Sequence, residues 1–336
     1  MKVAVFSAKS YDREFLQATN AAQDHPHSFS YYDVLLKPET ASLAQGHEAV
    51  CVFVNDDVGA VTLQRLADLG VRLVTLRCTG FNNVDLKAAA ALGITVTRVS
   101  DYSPYSVAEH TVGLILMLNR KLHRAYNRVR DDNFALEGLM GFDLHGCTVG
   151  IIGTGRIGRI VGQIMAGFGC RLYCYDPYPN EAFAAIATYG PLETVLGQAD
   201  IVTLHCPLTD ANWHLINHTT IAQMKRGAML INTSRGKLVD TKAVIEGIKS
   251  GHIGYVGIDV YEEEDSLFFQ DLSDTIIQDD TFQLLQSFPN VVITAHQAFF
   301  TRNALQDIAT TTLENLTHFE RGLPLAHEVT YTPELS

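Results

Sequence analysis

Short apolar runs rich in β-branched residues alternate along this chain with longer stretches whose apolar positions recur about every three to four residues. The first hundred residues predict strands at Val3 to Ser7, Ala49 to Val54, Leu73 to Arg77 and Thr95 to Val99, with amphipathic helices between them. A second series begins at Cys147. It predicts six strands, Cys147 to Ile152, Arg171 to Tyr175, Ile201 to Leu204, Ala228 to Asn232, Tyr255 to Asp259 and Val291 to Thr294. Strand alternating with helix implies mainly parallel, doubly wound sheets. Between the series, Ser106 to about Arg130 reads as one long helix with Val107, Leu114, Ile115, Leu118 and Leu122 on its apolar side. Its position makes it a bridge between domains and a candidate oligomer contact. The last helical stretch, Arg302 to about Glu320, has no sheet of its own to cover. Its simplest placement is back against the first series. The expected division is therefore 1–100 plus 300–336 as one α/β domain and 101–299 as the other.

The turn after the first strand of the second series reads Gly153-Thr154-Gly155-Arg156-Ile157-Gly158, and Asp176 lies 18 residues past its last glycine. The first glycine permits a tight turn, the second lets backbone approach a pyrophosphate, and the third lets helix and strand pack closely. The helix N-terminus offers free N–H groups and partial positive charge to the phosphates. A carboxylate at Asp176 accepts from ribose hydroxyls. It also points to NAD over NADP. A 2′-phosphate would meet a like charge there, and Pro177-Tyr178-Pro179 supplies no cation. The six predicted strands match two mononucleotide-binding halves of a Rossmann-like fold. The first domain has no such fingerprint.

At 336 residues the chain is long for one core and suits two domains. With 47% apolar and 18% charged residues it has an ordinary globular composition. The formal charge of −12 argues against nucleic acid and against an anionic membrane surface as partners. An anionic substrate therefore requires a local cation. Six cysteines form no C-x-x-C pair, which suits reduced thiols in a cytoplasmic protein. The apolar run at Met1 is too short for a signal peptide, and Val112 to Leu118, interrupted by Gly113, is too short to span a bilayer.

Ligands of open parallel sheets sit beyond the carboxyl ends of the strands. In the second series those ends carry His205-Cys206-Pro207, Asn232-Thr233-Ser234-Arg235-Gly236, Asp259 followed by Tyr261 and the acids Glu262-Glu263-Glu264, and His296. Reduction of a carbonyl by hydride needs a proton donor to the oxygen, and imidazole titrates near neutrality. A carboxylate partner favours the protonated imidazole. An Arg fork holds an α-carboxylate at two points. One Arg, one of the three acids and a His thus suffice to reduce a 2-oxo acid. Each has a plain structural reading in isolation. It is their convergence on one sheet edge with the glycine turn that points to chemistry. His214 and His218 are four apart, but no Cys or acid stands beside them at ligand spacing, so no metal is expected.

These residues resemble the D-isomer-specific 2-hydroxyacid dehydrogenases, and within them the fermentative D-lactate dehydrogenases, over nearly the whole chain. The likeness rests on Arg77 to Asp85, the glycine fingerprint, His205 to Thr209, Asn232 to Gly236, Asp259 to Glu262 and His296 to Phe299. It implies two parallel-sheet domains, Rossmann-like and flavodoxin-like, with the active site in the cleft between them. It further implies that 101–299 binds NAD and the other domain binds substrate. By this resemblance Arg235 binds the substrate carboxylate, His296 is the acid/base, and Glu264 is its partner among the three acids. Asp259 holds the nicotinamide carboxamide. Backbone N–H groups of Cys78, Thr79 and Gly80 reach the carboxylate, Tyr102 reaches the substrate, and Phe299 favours a small group such as methyl. Arg156 and Ile157 approach the pyrophosphate, Asp176 the ribose, Cys206, Pro207 and Asn212 the adenine side, and Thr233 and Ser234 the nicotinamide half, with His205 also among the cofactor-binding residues. The implied activity is NADH-dependent reduction of pyruvate to D-lactate by a homodimer or homotetramer. A bulkier or glycerate-type acid, and an NAD-sensing corepressor-like protein, are the competing readings. Two departures stand out, Asp101 before Tyr102, where several relatives carry a small residue, and Phe300 after Phe299.

Overall fold

A computed structural model describes residues 1–332. They pack as two compact units, Met1–Ser103 with the described residues from Phe300 onward, and Pro104–Phe299.

The first unit contains β1 (Lys2–Val5), β2 (Ser28–Tyr31), β3 (Ala49–Val52), β4 (Leu73–Leu76) and β5 (Thr95–Thr97). They form one parallel sheet in the order β2-β1-β3-β4-β5, the flavodoxin-like order. Alternate side chains go to opposite faces. Val3, Val5, Ala49, Cys51 and Leu73 pack under Leu16 and under Ala309, Leu313 and Leu316 of the final helix, Arg302–Glu320. Ala4, Val50, Val52, Val74 and Leu76 pack against Leu63 and Leu66 on the other side. The final helix thus completes the first unit's core. Thr301 caps it by accepting from the Ala304 N–H at 3.3 Å.

The second unit contains β6 (Thr148–Ile152), β7 (Arg171–Tyr175), β8 (Thr188–Tyr189), β9 (Ile201–Leu204), β10 (Ala228–Asn232), β11 (Ile253–Ile258) and β12 (Val291–Ile293). Their order, β12-β11-β10-β9-β6-β7-β8, is parallel throughout. The chain runs outward from β6 to β8 and then crosses to β9. The switch point lies between β6 and β9, where open sheets bind ligands.

Three expectations need correction. The second sheet has seven strands rather than six, because the two-residue edge strand β8 is too short to show a period. β2 was also unexpected. Its Ser-Phe-Ser-Tyr sequence at the sheet edge is only partly buried and lacks an apolar run. The long helix divides into Pro104–Arg120 and Leu122–Arg130. Lys121 between them takes a left-handed backbone, φ 50°, and its Nζ donates to the Met140 carbonyl at 2.7 Å. Asn119 both donates to and accepts from the Phe142 backbone. The break turns Leu122 off the buried stripe, leaving it 54% exposed.

Candidate active site

The site is built at the carboxyl edge of the second unit's sheet. β6 ends at Ile152, and Gly153 turns the chain with φ 94°. A Cβ on Gly153 would lie 2.5 Å from the Cys206 nitrogen, so this turn and the loop after β9 meet at the switch point. A Cβ on Gly158 would lie 2.0 Å from the Gly153 carbonyl oxygen, whereas one on Gly155 would meet nothing within 4 Å. The first and third glycines therefore close the turn on itself, and the second leaves open space at the N-terminus of the helix Arg156–Gly167. Those first N–H groups and the partial charge of about half a unit face that space.

Asp176 follows β7. Its Oδ2 accepts from the Thr154 N–H at 2.6 Å and from Thr154 Oγ1 at 3.0 Å, and its Oδ1 accepts from the Tyr178 N–H at 2.8 Å. Tyr189, on the edge strand β8, donates to Thr154 Oγ1 at 2.8 Å. The carboxylate is therefore held in register with the glycine turn. The acceptor site left on Oδ1 suits a ribose hydroxyl, and no cation stands in the following residues to receive a 2′-phosphate. The open Gly155, the helix end and the anchored carboxylate together fit an NAD-type dinucleotide.

After β9, His205 Nε2 lies 2.9 Å from Thr203 Oγ1, and burial pushes its imidazole down to about 3. Burial pushes the Cys206 thiol up to about 11, so neither is ionised near neutrality. Asn212 folds its amide onto the Pro207 carbonyl at 2.7 Å. After β10, the Asn232 amide donates to the Arg235 carbonyl at 2.8 Å, and its oxygen accepts from the Ser234 N–H at 3.0 Å. The Ser234 hydroxyl donates to the Cys206 carbonyl at 2.7 Å, and Thr233 shares a 2.8 Å hydrogen bond with Thr111. These contacts fix the turn from which Arg235 projects. Its Nη1 donates to the Ser234 carbonyl at 2.8 Å, and no acid pairs with the guanidinium among the described residues.

The three acids after β11 separate cleanly. Glu264 Oε1 lies 2.7 Å from His296 Nδ1, and its Oε2 accepts from the Tyr261 N–H at 2.8 Å. Glu262 turns to His214, and Glu263 is exposed. His296 has a left-handed backbone, φ 50°. Asp259 supports it, with its carbonyl accepting from the His296 N–H at 2.7 Å. The buried Asp259 carboxylate accepts from Thr294 Oγ1 at 2.5 Å and from the Gln297 and Ala298 N–H groups at 2.9 and 2.8 Å. One acid thus braces the whole loop that carries His296. The Phe269 ring, itself on a left-handed residue with φ 64°, lies 5.6 Å from the imidazole.

In the first unit, Cys78 is buried at the end of β4 and its thiol donates to the Gly80 carbonyl at 3.3 Å. Arg98 donates to the Thr79 carbonyl at 2.9 Å. Tyr102 lies in the segment leading to Ser103, with Asp101 exposed beside it. Phe299 ends the second unit, and Phe300 meets Tyr11 edge-on at 4.7 Å. His214 and His218 face separate acids, Glu262 and Glu246. The parts that sequence reasoning missed are Thr154, Tyr189, Thr111, Phe269 and the Glu262–His214 contact. Each acts through tertiary proximity and has no local motif.

Residues 112–298 match the family described as D-isomer specific 2-hydroxyacid dehydrogenase, NAD binding domain. The chain is 52% identical over 329 residues to D-lactate dehydrogenase kk1H of Curvularia clavata, covering 97% of this chain and 94% of that protein. It is 49% identical over 330 residues to the D-lactate dehydrogenase of Escherichia coli, covering 98% and 100%. Among solved structures, the apo form of D-lactate dehydrogenase from Escherichia coli superposes with a TM-score of 0.91 at 46% identity, covering 98% and 100%. A structure described as the pyruvate reductase of Chlamydomonas reinhardtii gives 0.93 at 42%, covering 97% and 98%.

Proposed function

Because this chain belongs to the D-isomer-specific 2-hydroxyacid dehydrogenases, we propose that it interconverts pyruvate and D-lactate with NAD, and that Arg235, Glu264 and His296 carry the chemistry. The observation that carries the residue assignment is the 2.7 Å contact between Glu264 Oε1 and His296 Nδ1, on the same sheet edge as the glycine turn and Arg235. When bound, the reduced cofactor supplies a hydride to the keto carbon. With Nδ1 facing the carboxylate, His296 has Nε2 left to give its proton to the keto oxygen. The imidazolium becomes neutral imidazole as the alcohol forms, and takes the proton back when lactate is oxidised. Arg235 brings its fork to the substrate carboxylate and supplies the local cation that an anionic substrate requires in a chain of net charge −12. Asp259 holds the loop of His296 so that the ring keeps one orientation, which is the condition for a donor to act without reorganisation. Phe299 supports a small side chain on the substrate, favouring pyruvate over bulkier 2-oxo acids.

The test is NADH oxidation with a panel of 2-oxo acids, followed by chiral analysis of the product. Pyruvate is expected to lead the panel and to yield D-lactate. His296→Ala and Arg235→Ala are each expected to lower kcat/KM by about 10²–10⁴-fold, while NADH affinity stays within a few-fold. Near-normal turnover in either variant would remove that residue from the mechanism. NADH binding with no turnover of any 2-oxo acid would identify a sensor instead.

We also propose a cytoplasmic homo-oligomer. No residue of the helix Leu122–Arg130 is buried, yet Leu122, Tyr126 and Val129 form one stripe along it, and Phe134, Leu136 and Met140 are exposed in the loop that follows. An apolar patch of this kind on a single chain marks a contact surface. The six cysteines are all free thiols, and no helix among the described residues is long and apolar enough to cross a membrane.

A further inference from the structure

Glu262 stands two residues before the acid that grips His296, and its side chain is four-fifths covered. Its Oε1 lies 2.5 Å from His214 Nε2, and its Oε2 accepts from Thr241 Oγ1 at 3.1 Å. These partners come from different strand-end loops. His214 lies in the loop after β9, downstream of Cys206 and Asn212. Thr241 opens the helix Thr241–Lys249, which follows the Arg235 turn after β10. Glu262 itself belongs to the loop after β11. The backbones meet at the same place. A Cβ on Gly236, next to Arg235, would lie 2.1 Å from the Tyr261 carbonyl oxygen. The His214 N–H donates to the Lys237 carbonyl at 2.9 Å, and the Ile216 N–H to the Leu238 carbonyl at 2.9 Å. One carboxylate therefore joins the three loops that carry the cofactor-side residues, Arg235 and Glu264, and Glu264 in turn holds His296, which lies on the loop after β12.

We infer that Glu262, clamped by His214 and Thr241, is a positioning residue that sets the separation between Arg235 and the Glu264–His296 pair, without touching substrate itself. This rests on the dehydrogenase reading above. Arg235 fixes one end of a 2-oxo acid and His296 must meet its keto oxygen, so a shift of either loop spoils both grip and alignment. Misplacement on the order of 1 Å is worth up to about a hundredfold in rate. Glu262→Gln keeps an acceptor for Thr241 and a donor for His214. Glu262→Ala keeps neither.

The experiment is steady-state reduction of pyruvate by the full chain, with NADH affinity measured separately by fluorescence and folding checked by thermal denaturation. Wild-type turnover is measured first, and its absence overturns the dehydrogenase reading and this inference with it. With the wild type active, Glu262→Ala is expected to raise the KM for pyruvate and lower kcat, each by about tenfold, with NADH affinity within threefold. Glu262→Gln is expected to stay within threefold of wild type in both parameters. His214→Phe, which keeps a ring beside Trp213, is expected to move KM and kcat in the same direction as Glu262→Ala. It carries the test should the alanine variant fail to fold. A lowered melting temperature with KM and kcat within twofold of wild type, in whichever variant folds, would make the clamp merely structural and overturn the inference.

Discussion

If Arg235 binds the substrate carboxylate as proposed, its charge and its fork can be tested apart. Arg235→Lys keeps the charge and loses the fork, so one of two charge-assisted hydrogen bonds to a carboxylate disappears, worth about 1.5–3 kcal/mol. The expected result is a rise in the KM for pyruvate of about 10- to 100-fold, with kcat affected less, measured at saturating NADH. An unchanged KM would take the carboxylate-binding role away from Arg235. At this scale the sequence is legible only where a residue type is rare at its place. A single Arg after one strand and a single His after another could be picked out beside a nucleotide turn. Three consecutive glutamates could not be separated, because an irregular loop has no period to say which side chain points where. Resemblance selected Glu264, and the fold gives a physical distinction, with one acid on His296, one on His214 and one in solvent. Thr154 and Tyr189, which aim Asp176, left no trace in the sequence, since hydroxyls in turns and edge strands are common.

The glycine turn was the most legible element, because its three glycines have three separable mechanical roles. Two variants divide them. At Gly158 an added methyl collides with the Gly153 carbonyl oxygen, 2.0 Å away, so alanine forces backbone to move and is expected to cost about 1–3 kcal/mol in a denaturant midpoint. At Gly155 the backbone, φ −62° and ψ −169°, is open to any residue and the space is empty. Alanine loses a little as an N-cap and gains a similar amount by restricting the unfolded chain, each about 0.5–1 kcal/mol. Its melting temperature is expected to stay within about 2 °C. Its methyl, however, stands where a pyrophosphate would approach, so NADH affinity is expected to fall about tenfold. Loss of stability in Gly155→Ala, or intact stability in Gly158→Ala, would reverse the roles. Central strands such as β6, β9 and β10 were readable for the same reason that they are buried, which is that both faces demand apolar residues. The edge strands β2 and β8 and the break at Lys121 were not. Half-exposed strands carry mixed sequences, and the break depends on where Asn119 and Lys121 find carbonyls about twenty residues further on.

Across the whole molecule, two properties follow from surfaces and cores. The stripe Leu122, Tyr126 and Val129 is expected to lie in a subunit contact, so Leu122→Asp combined with Tyr126→Asp should give monomers by light scattering where the wild type gives a larger species. Equal masses would place the contact elsewhere. The second property is the pH dependence of stability. Burial lowers the imidazoles of His205, to about 3, and of His27. Below about 6.5 the unfolded chain takes up a proton at each such residue, while folded His205 does not until far lower pH. Stability therefore rises with pH across that window, and the His205 contribution is lost as pH falls from about 6.5 toward 3, by at most about 1.4 kcal/mol per pH unit. The buried Asp56 carboxyl, raised by desolvation, works in the opposite direction, so the wild-type curve alone does not isolate the histidine. His205→Gln does. Glutamine can keep the hydrogen bond to Thr203 and has no proton to gain. Urea midpoints at pH 7 and pH 5 are expected to fall less in His205→Gln than in the wild type, and an identical fall in both would mean that His205 is not held neutral by the fold.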